Sequence, residues 1–366
     1  MTTTATWSGT DLAFMARALA LTERGRDTCT PNPNVGCVLA KGGRVIGEGW
    51  HERAGEAHAE VRALQAATES PEGATAYVTL EPCAHHGRTG PCAEALVKAR
   101  VARVVAALED PNPEVAGRGF ARLREAGIAV DVGLMADEAR EAHRGFLSRM
   151  QRGRPWLRVK AASSLDGRIA LSGGESRWIT GEEARRDVHR LRARSCAMLT
   201  GIGTVRQDDP ELTVRHVPCS RQPRRVVIDN RLEMPLTAKI LAGAPPLILT
   251  VSDDKAKRAS LEAKGAEVVR VPGEGKSDLA AVAKVLGDKG FNEVTAETGG
   301  KLMGSLIAAG VVDELVIYYA GLILGDEAQA LFVLPEPARL SEALRPRIVD
   351  VRSLGGDFRV TARFGA

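Results

Sequence analysis

Apolar positions along the chain switch between two spacings. Leu12, Met15, Ala16 and Leu19 recur at the interval of a helix with one buried face, opened by Thr10 or Asp11. Pro31-Asn32-Pro33 ends that region, and two short apolar runs, 35–40 and 44–49, flank Lys41-Gly42-Gly43 as the arms of a hairpin. Ala59, Ala63, Leu64 and Ala67 restore the helical interval within 57–67, and 74–80 reads as a buried strand. A β-branched run at 101–108, a helix at 117–126 and a strand at 128–133 follow. The order α-β-β-α-β-α-β-α-β is that of a sheet with helices on both faces.

Polar helical residues at 137–150 lead into Gln151-Arg152-Gly153-Arg154-Pro155, which predicts a boundary near residue 152, and a new strand at 156–163 starts at once. The second half repeats the alternation. Thr180 or Gly181 opens a helix at 182–193, and helices are also predicted at 278–286 and 303–309. Strands are predicted at 197–199, 225–228, 247–251, 268–271 and 293–296, with a strand-rich end at 315–320, 346–352 and 358–364. The strand at 293–296 runs into Glu297-Thr298-Gly299-Gly300-Lys301-Leu302. Glycines at a strand-to-helix junction expose backbone N–H groups suited to an anion, although a tight turn is the better explanation of the glycines alone.

Length and composition narrow the picture. A chain of 366 residues exceeds the usual size of a single core, so two domains are expected, 1–152 and 153–366. Hydrophobic content of 44% with 26% charged residues fits a soluble globular protein. A net charge of +4 and 4% aromatics argue against a dedicated nucleic-acid surface, which needs a basic stripe and stacking rings. No apolar run suits a secretory leader or a membrane span. Cys29, Cys37, Cys196 and Cys219 lack scaffold-like spacing, which predicts a reduced, cytoplasmic chain.

The candidate chemistry lies in His58-Ala59-Glu60, Pro82-Cys83 and Cys92. Imidazole and thiolate are ligands that zinc prefers, and a catalytic zinc takes three protein ligands and keeps a position for water. A carboxylate two residues from the histidine could move protons to and from that water. The order resembles the signature of zinc-dependent nucleobase deaminases, in which the glutamate is not a ligand. Eight residues separate Cys83 from Cys92 where that signature has two, so it fits after a loop insertion. Residues i and i+2 of a regular helix do not face each other, so His58 and Glu60 share a pocket only where a helix begins. Pro91 suits a first helical position, with Cys92 next, and a helix start favours a thiolate. A structural zinc closed by His85 or His86 as fourth ligand, in a zinc-stabilised binding protein, is the alternative. Asp110-Pro111-Asn112-Pro113 reads either as a turn or as a ligand site at a strand end, and Asn32 has the same two readings.

Longer motifs now add up to a family. Asn32-Pro33-Asn34-Val35-Gly36-Cys37, Gly55-Glu56-Ala57-His58-Ala59-Glu60 and the run from Thr79 to Cys92 closely resemble the deaminase half of the RibD family of bifunctional bacterial riboflavin biosynthesis enzymes. Ser163-Ser164-Leu165-Asp166-Gly167, Glu175-Ser176-Arg177-Trp178-Ile179-Thr180 and the run from Asp208 to Arg215 resemble its reductase half. The resemblance implies a cytidine-deaminase-like α/β/α sandwich followed by a dihydrofolate-reductase-like α/β domain. It implies hydrolytic deamination of a phosphoribosylaminopyrimidine, then NADPH-dependent reduction of the ribosyl group to ribityl. By position, His58, Cys83 and Cys92 would hold one Zn²⁺ per chain, and Glu60 would be the proton shuttle. Asn32, Asp110 and Asn112 would meet the deaminase substrate. Ser176, Arg192, Leu212, Arg215 and Glu297 would meet the reductase substrate, with the arginines suited to its phosphate. Ala162, Trp178, Thr204, Asp208, Asn230, Gly299 and Gly300 fall at NADPH positions. One departure stands out: relatives carry Glu-Gly-Gly or Glu-Ala-Gly where this chain has Glu297-Thr298-Gly299-Gly300-Lys301. A small-molecule substrate, no nucleic-acid or membrane partner, and a homo-oligomer (dimer or tetramer) are expected. A nucleic-acid or nucleoside deaminase with an accessory domain would share the zinc signature but leave the second half unexplained.

Overall fold

A computed structural model of the chain describes residues 7–84 and 90–365. The chain divides into two compact units, one ending at Gly153 and the other starting at Arg154.

The first unit contains α1 (Gly9–Gly25), β1 (Gly36–Lys41), β2 (Arg44–Trp50), α2 (Ala59–Gln65), β3 (Thr75–Val78), α3 (Cys92–Lys98), β4 (Arg103–Ala106), α4 (Arg118–Glu125), β5 (Ala129–Val132) and α5 (Ala136–Arg152). Its sheet has the order β2-β1-β3-β4-β5; β1 is antiparallel to both neighbours, and β3, β4 and β5 run parallel. Alternation along β3 sends Ala76 and Val78 to one face and Tyr77 to the other. The first face packs against α2, α3 and α4 through Ala63, Leu96, Phe120 and Leu123. The second packs against α1 and α5 through Met15, Leu21 and Phe146. Helix α1 starts earlier than its apolar stripe suggests. Ser8 Oγ accepts the Asp11 N–H and the Asp11 carboxylate accepts the Ser8 N–H, a reciprocal cap that leaves Thr10 without the capping role.

The second unit contains β6 (Trp156–Ser164), β7 (Arg168–Ala170), α6 (Glu182–Arg194), β8 (Ala197–Gly201), α7 (Ile202–Asp208), β9 (Arg224–Ile228), β10 (Leu247–Thr250), α8 (Lys255–Ala263), β11 (Glu267–Arg270), α9 (Leu279–Asp288), β12 (Glu293–Ala296), α10 (Gly300–Ala308), β13 (Glu314–Ala320), β14 (Gln329–Ala330), β15 (Arg347–Leu354) and β16 (Asp357–Arg363). Nine strands form one sheet, β11-β10-β9-β8-β12-β6-β13-β16-β15, parallel up to β13 and antiparallel beyond it. Its inner parallel strands β8, β9, β10 and β12 are buried on both faces, as crossover helices require. Leu157, Val159 and Ala161 of β6 enter the core shared with α9 and α10. Arg158, Lys160 and Ala162 therefore point to the other face. There Arg158 is buried, held by Glu314 at 2.6 Å, Glu293 at 3.1 Å and the Thr295 hydroxyl at 3.2 Å. Helices α7 and α8 were absent from the sequence expectation because each buries a single side chain, Val205 and Leu261, and so shows no apolar stripe.

Candidate functional site

In the first unit a cavity of about 520 Å³ opens beyond the carboxyl ends of β3 and β4, where parallel strands deliver their loops. Asn32, His51, His58, Glu60, Glu81, Cys83, Asp110 and Asn112 border it. His58 caps α2 with extended backbone (φ −73°, ψ 168°), and Glu60 sits buried in the first turn. That non-helical residue lets two positions two apart share a pocket. Pro91 is the cap of α3, one place earlier than expected, and Cys92 is its first residue.

The His58 Nδ1 lies 3.5 Å from Cys83 Sγ and 3.3 Å from Cys92 Sγ, and all three ligand atoms fall within 4.8 Å of one another. A tetrahedral zinc with Zn–S near 2.3 Å and Zn–N near 2.0–2.1 Å separates nitrogen from sulfur by about 3.5 Å, so the donor set fits that ion. Among the described residues this is the one cluster of three or more donors that could hold a metal. His85 and His86, the alternative fourth ligands, lie outside the described residues.

The electrostatics follow from crowding these groups in a dry pocket. Burial pushes Glu60 up to about 7, and negative charge on Cys83 adds to the effect. The thiol of Cys92 donates to Cys83, which with His58 beside it falls to about 4, while Cys92 is pushed up by the same bond and by burial. His58 is raised, chiefly by its bond to Cys83. One proton is thus shared between two sulfurs; a dication held there would ionise both and draw Glu60 back down.

His51 escaped the sequence reading. Its Nδ1–H donates to the Ala57 carbonyl at 3.2 Å and its Nε2 accepts from the Asn32 amide at 3.0 Å, which fixes a neutral tautomer. Burial lowers its pKa accordingly, and its ring meets that of His58 edge-on at 4.9 Å. A lone histidine after a strand offers no spacing signal, so only the fold reveals it.

In the second unit a cavity of about 510 Å³ is lined by Ala162, Ser176, Trp178, Arg192, Thr204, Asp208, Leu212, Arg215, Glu297 and Gly299, all named from the sequence. Two expected residues are not among its lining. Asn230 turns its side-chain Oδ1 to the Ser277 N–H (2.9 Å) and hydroxyl (2.7 Å), tying two loops together. Gly300 is buried, and a Cβ there would lie 2.4 Å from the Ala330 carbonyl, so its small size serves close packing.

Glu297 is the electrostatic centre. Arg192 grips it with two bonds, 2.8 Å and 2.9 Å, and donates its remaining nitrogen to the Thr213 carbonyl at 3.0 Å. These bonds use three of the five guanidinium N–H groups of Arg192, which leaves two for a ligand in the cavity, where the expectation puts the substrate phosphate. Lys160, another residue missed from the sequence, places its Nζ 3.7 Å from Glu297. Burial alone would raise Glu297, but Arg192 and then Lys160 more than offset it and hold the carboxylate at about 2. His189 accepts the Arg215 N–H at Nδ1 (3.1 Å); burial and then Arg192 depress it to about 4. Trp178 is 71% exposed at the rim, with the Arg185 guanidinium 4.7 Å from its ring centroid.

Comparison with known proteins matches residues 8–108 to the cytidine and deoxycytidylate deaminase zinc-binding region and residues 155–360 to the RibD C-terminal domain. Riboflavin biosynthesis protein RibD of Escherichia coli K12 is 47% identical over 365 residues, covering 95% of this chain and 97% of that one. The chain belongs to the RibD family. The solved structure of Acinetobacter baumannii RibD (form 1) is similar at a TM-score of 0.91 and 43% identity, over 98% of this chain and 99% of that one. A Thermotoga maritima structure, described as a diaminohydroxyphosphoribosylaminopyrimidine deaminase/5-amino-6-(5-phosphoribosylamino)uracil reductase, is similar at 0.86 and 30% identity, over 97% and 99%. The chain is accordingly a riboflavin biosynthesis enzyme with a deaminase and a reductase domain. Among the described residues no helix is long and apolar enough to cross a membrane.

Proposed function

We propose that the first unit removes the 2-amino group of 2,5-diamino-6-(5-phosphoribosylamino)pyrimidin-4-one by hydrolysis, releasing ammonia. The second unit then reduces the ribosyl group of the product to ribityl. The observation that carries this reading is the convergence of His58, Cys83 and Cys92 beside buried Glu60 in one cavity. His58, Cys83 and Cys92 would hold zinc, which when bound supplies a Lewis acid able to activate water near neutral pH. Glu60 is placed to carry one proton of the attacking water to a ring nitrogen and then the second, from the hydroxyl added to the ring, to the departing amine. Its burial keeps the proton path out of bulk solvent. Asn32, oriented by neutral His51, would hold the pyrimidine, with Asp110 and Asn112 beside it.

In the second cavity Ala162, Trp178, Thr204, Asp208 and Gly299 would hold NADPH, which when bound supplies the hydride. Glu297, kept ionised by Arg192 and Lys160, offers a fixed negative charge beside the sugar. Arg215, at the exposed rim, is suited to the substrate phosphate. The test is to feed the purified, zinc-loaded chain the diaminopyrimidine with and without NADPH and to identify products by mass. The deaminated ribosyl compound is expected without NADPH and the ribityl compound with it; unchanged substrate in both would refute the proposal.

A further inference from the structure

Glu81 borders the first cavity two residues before Cys83, is buried, and resembles a second acid for the reaction. Its hydrogen bonds argue otherwise. Oε2 accepts the N–H groups of Asp110 (3.2 Å) and Gly117 (2.9 Å), and Oε1 accepts those of Gly119 (2.9 Å) and Phe120 (3.1 Å). A carboxylate has about four lone-pair positions, so backbone donors occupy them all and none is left for water or substrate. The same segment is also keyed from its other side: a Cβ on Gly119 would stand 1.9 Å from the Pro82 carbonyl. Gly117, at φ +79°, makes the left-handed entry into α4 that aims these N–H groups inward. Segment 110–120 carries Asp110, Asn112 and Val115 to the cavity wall.

We propose that Glu81 is a positioning residue. It fixes segment 110–120, and with it Asp110 and Asn112, at a set distance from Cys83 and Glu60, so that the pyrimidine ring is held where the chemistry occurs. This rests on the deaminase reading above. Glutamine keeps the size of the side chain but turns an NH₂ towards two N–H donors, breaking half of the clamp.

The experiment uses the full-length, zinc-loaded chain as wild type, Glu81→Gln, Asn112→Ala and the double variant. Ammonia release is followed against diaminopyrimidine concentration and pH, beside zinc content and reductase turnover. Glu81→Gln is expected to raise the deaminase KM by about tenfold, as loss of one or two charge-assisted bonds implies, while zinc content, the pH profile of kcat and reductase turnover stay as in wild type. Because Glu81 acts through that segment, the double variant is expected to have a KM no higher than Asn112→Ala alone. An unchanged KM, loss of zinc, loss of a pH limb in kcat, or additive effects would each overturn the proposal. Should Glu81→Gln not accumulate as folded protein, Gly119→Ala displaces the same segment from the Pro82 side; the same rise in KM is expected, and none would refute the proposal. A wild-type chain that releases no ammonia would instead sink the deaminase reading itself.

Discussion

Glu60 is buried and Glu297 half-buried, and the two carboxylates border cavities of nearly equal size, yet their surroundings drive them in opposite directions. Glu60 has sulfur and imidazole beside it, and burial lifts it to about 7. Glu297 is gripped by Arg192 and flanked by Lys160, and it falls to about 2. A buried carboxyl that no protein cation grips stays free to exchange a proton, whereas one caged by cations serves as a permanent charge. The contrast teaches that the same residue type divides between moving protons and holding a field according to whether a cation is supplied by the protein.

The sharpest way to break the comparison is Glu60→Gln. Ammonia release should drop by about 10³-fold, within the range that general acid–base groups contribute, while zinc content and reductase turnover remain. Retained deaminase turnover would remove Glu60 from its role. Next in size is Arg192→Ala, which leaves half-buried Glu297 with Lys160 as its ion-pair partner. The second unit should lose about 3–5 kcal/mol in denaturant unfolding, together with reductase turnover. A loss under 1 kcal/mol would show that the pair is structurally idle.

Arg215→Ala removes a rim charge instead of a buried one. It should raise the reductase substrate KM about tenfold and leave the NADPH KM unchanged. Equal effects on both would exclude it from the phosphate end. The smallest effect expected is on acid stability. His189 is depressed from 6.5 to about 4, so the stability it contributes is present above 6.5 and lost as pH falls through 4. Glu297, depressed from 4.5 to about 2, adds a second loss lower down. The melting temperature of the second unit should therefore begin to fall between pH 6.5 and 4, and His189→Asn should flatten that first part of the curve.

What the sequence reveals differs between the two sites for a physical reason. Two of the three candidate metal ligands, His58 and Cys92, lie at helix starts and Cys83 follows a strand, so Pro91, the strand end and the His58–Glu60 spacing are local signals that need no tertiary knowledge. Glu81 carries no such signal, because its partners are backbone N–H groups of a segment far along the chain. Likewise Arg192 meets Glu297 across 105 positions, and no periodicity links them. Lys160 was readable in principle: a lysine inside a strand whose alternate residues are apolar must face something polar. Asn230 and Gly300, two NADPH positions of the resemblance, also have roles in loops and packing that spacing does not announce.

The arginine buried on β6 has a bearing on how the nine-stranded sheet assembles. Inserted between β12 and β13 in the observed alignment, Arg158 finds acidic partners on both neighbours. A slip by a single residue would turn Arg158 and Lys160 into the layer filled by Leu157, Val159 and Ala161, stranding two cations among hydrocarbon. The central strand thus rejects its own misplacement, and the wall of the second cavity inherits a defined alignment from that rejection.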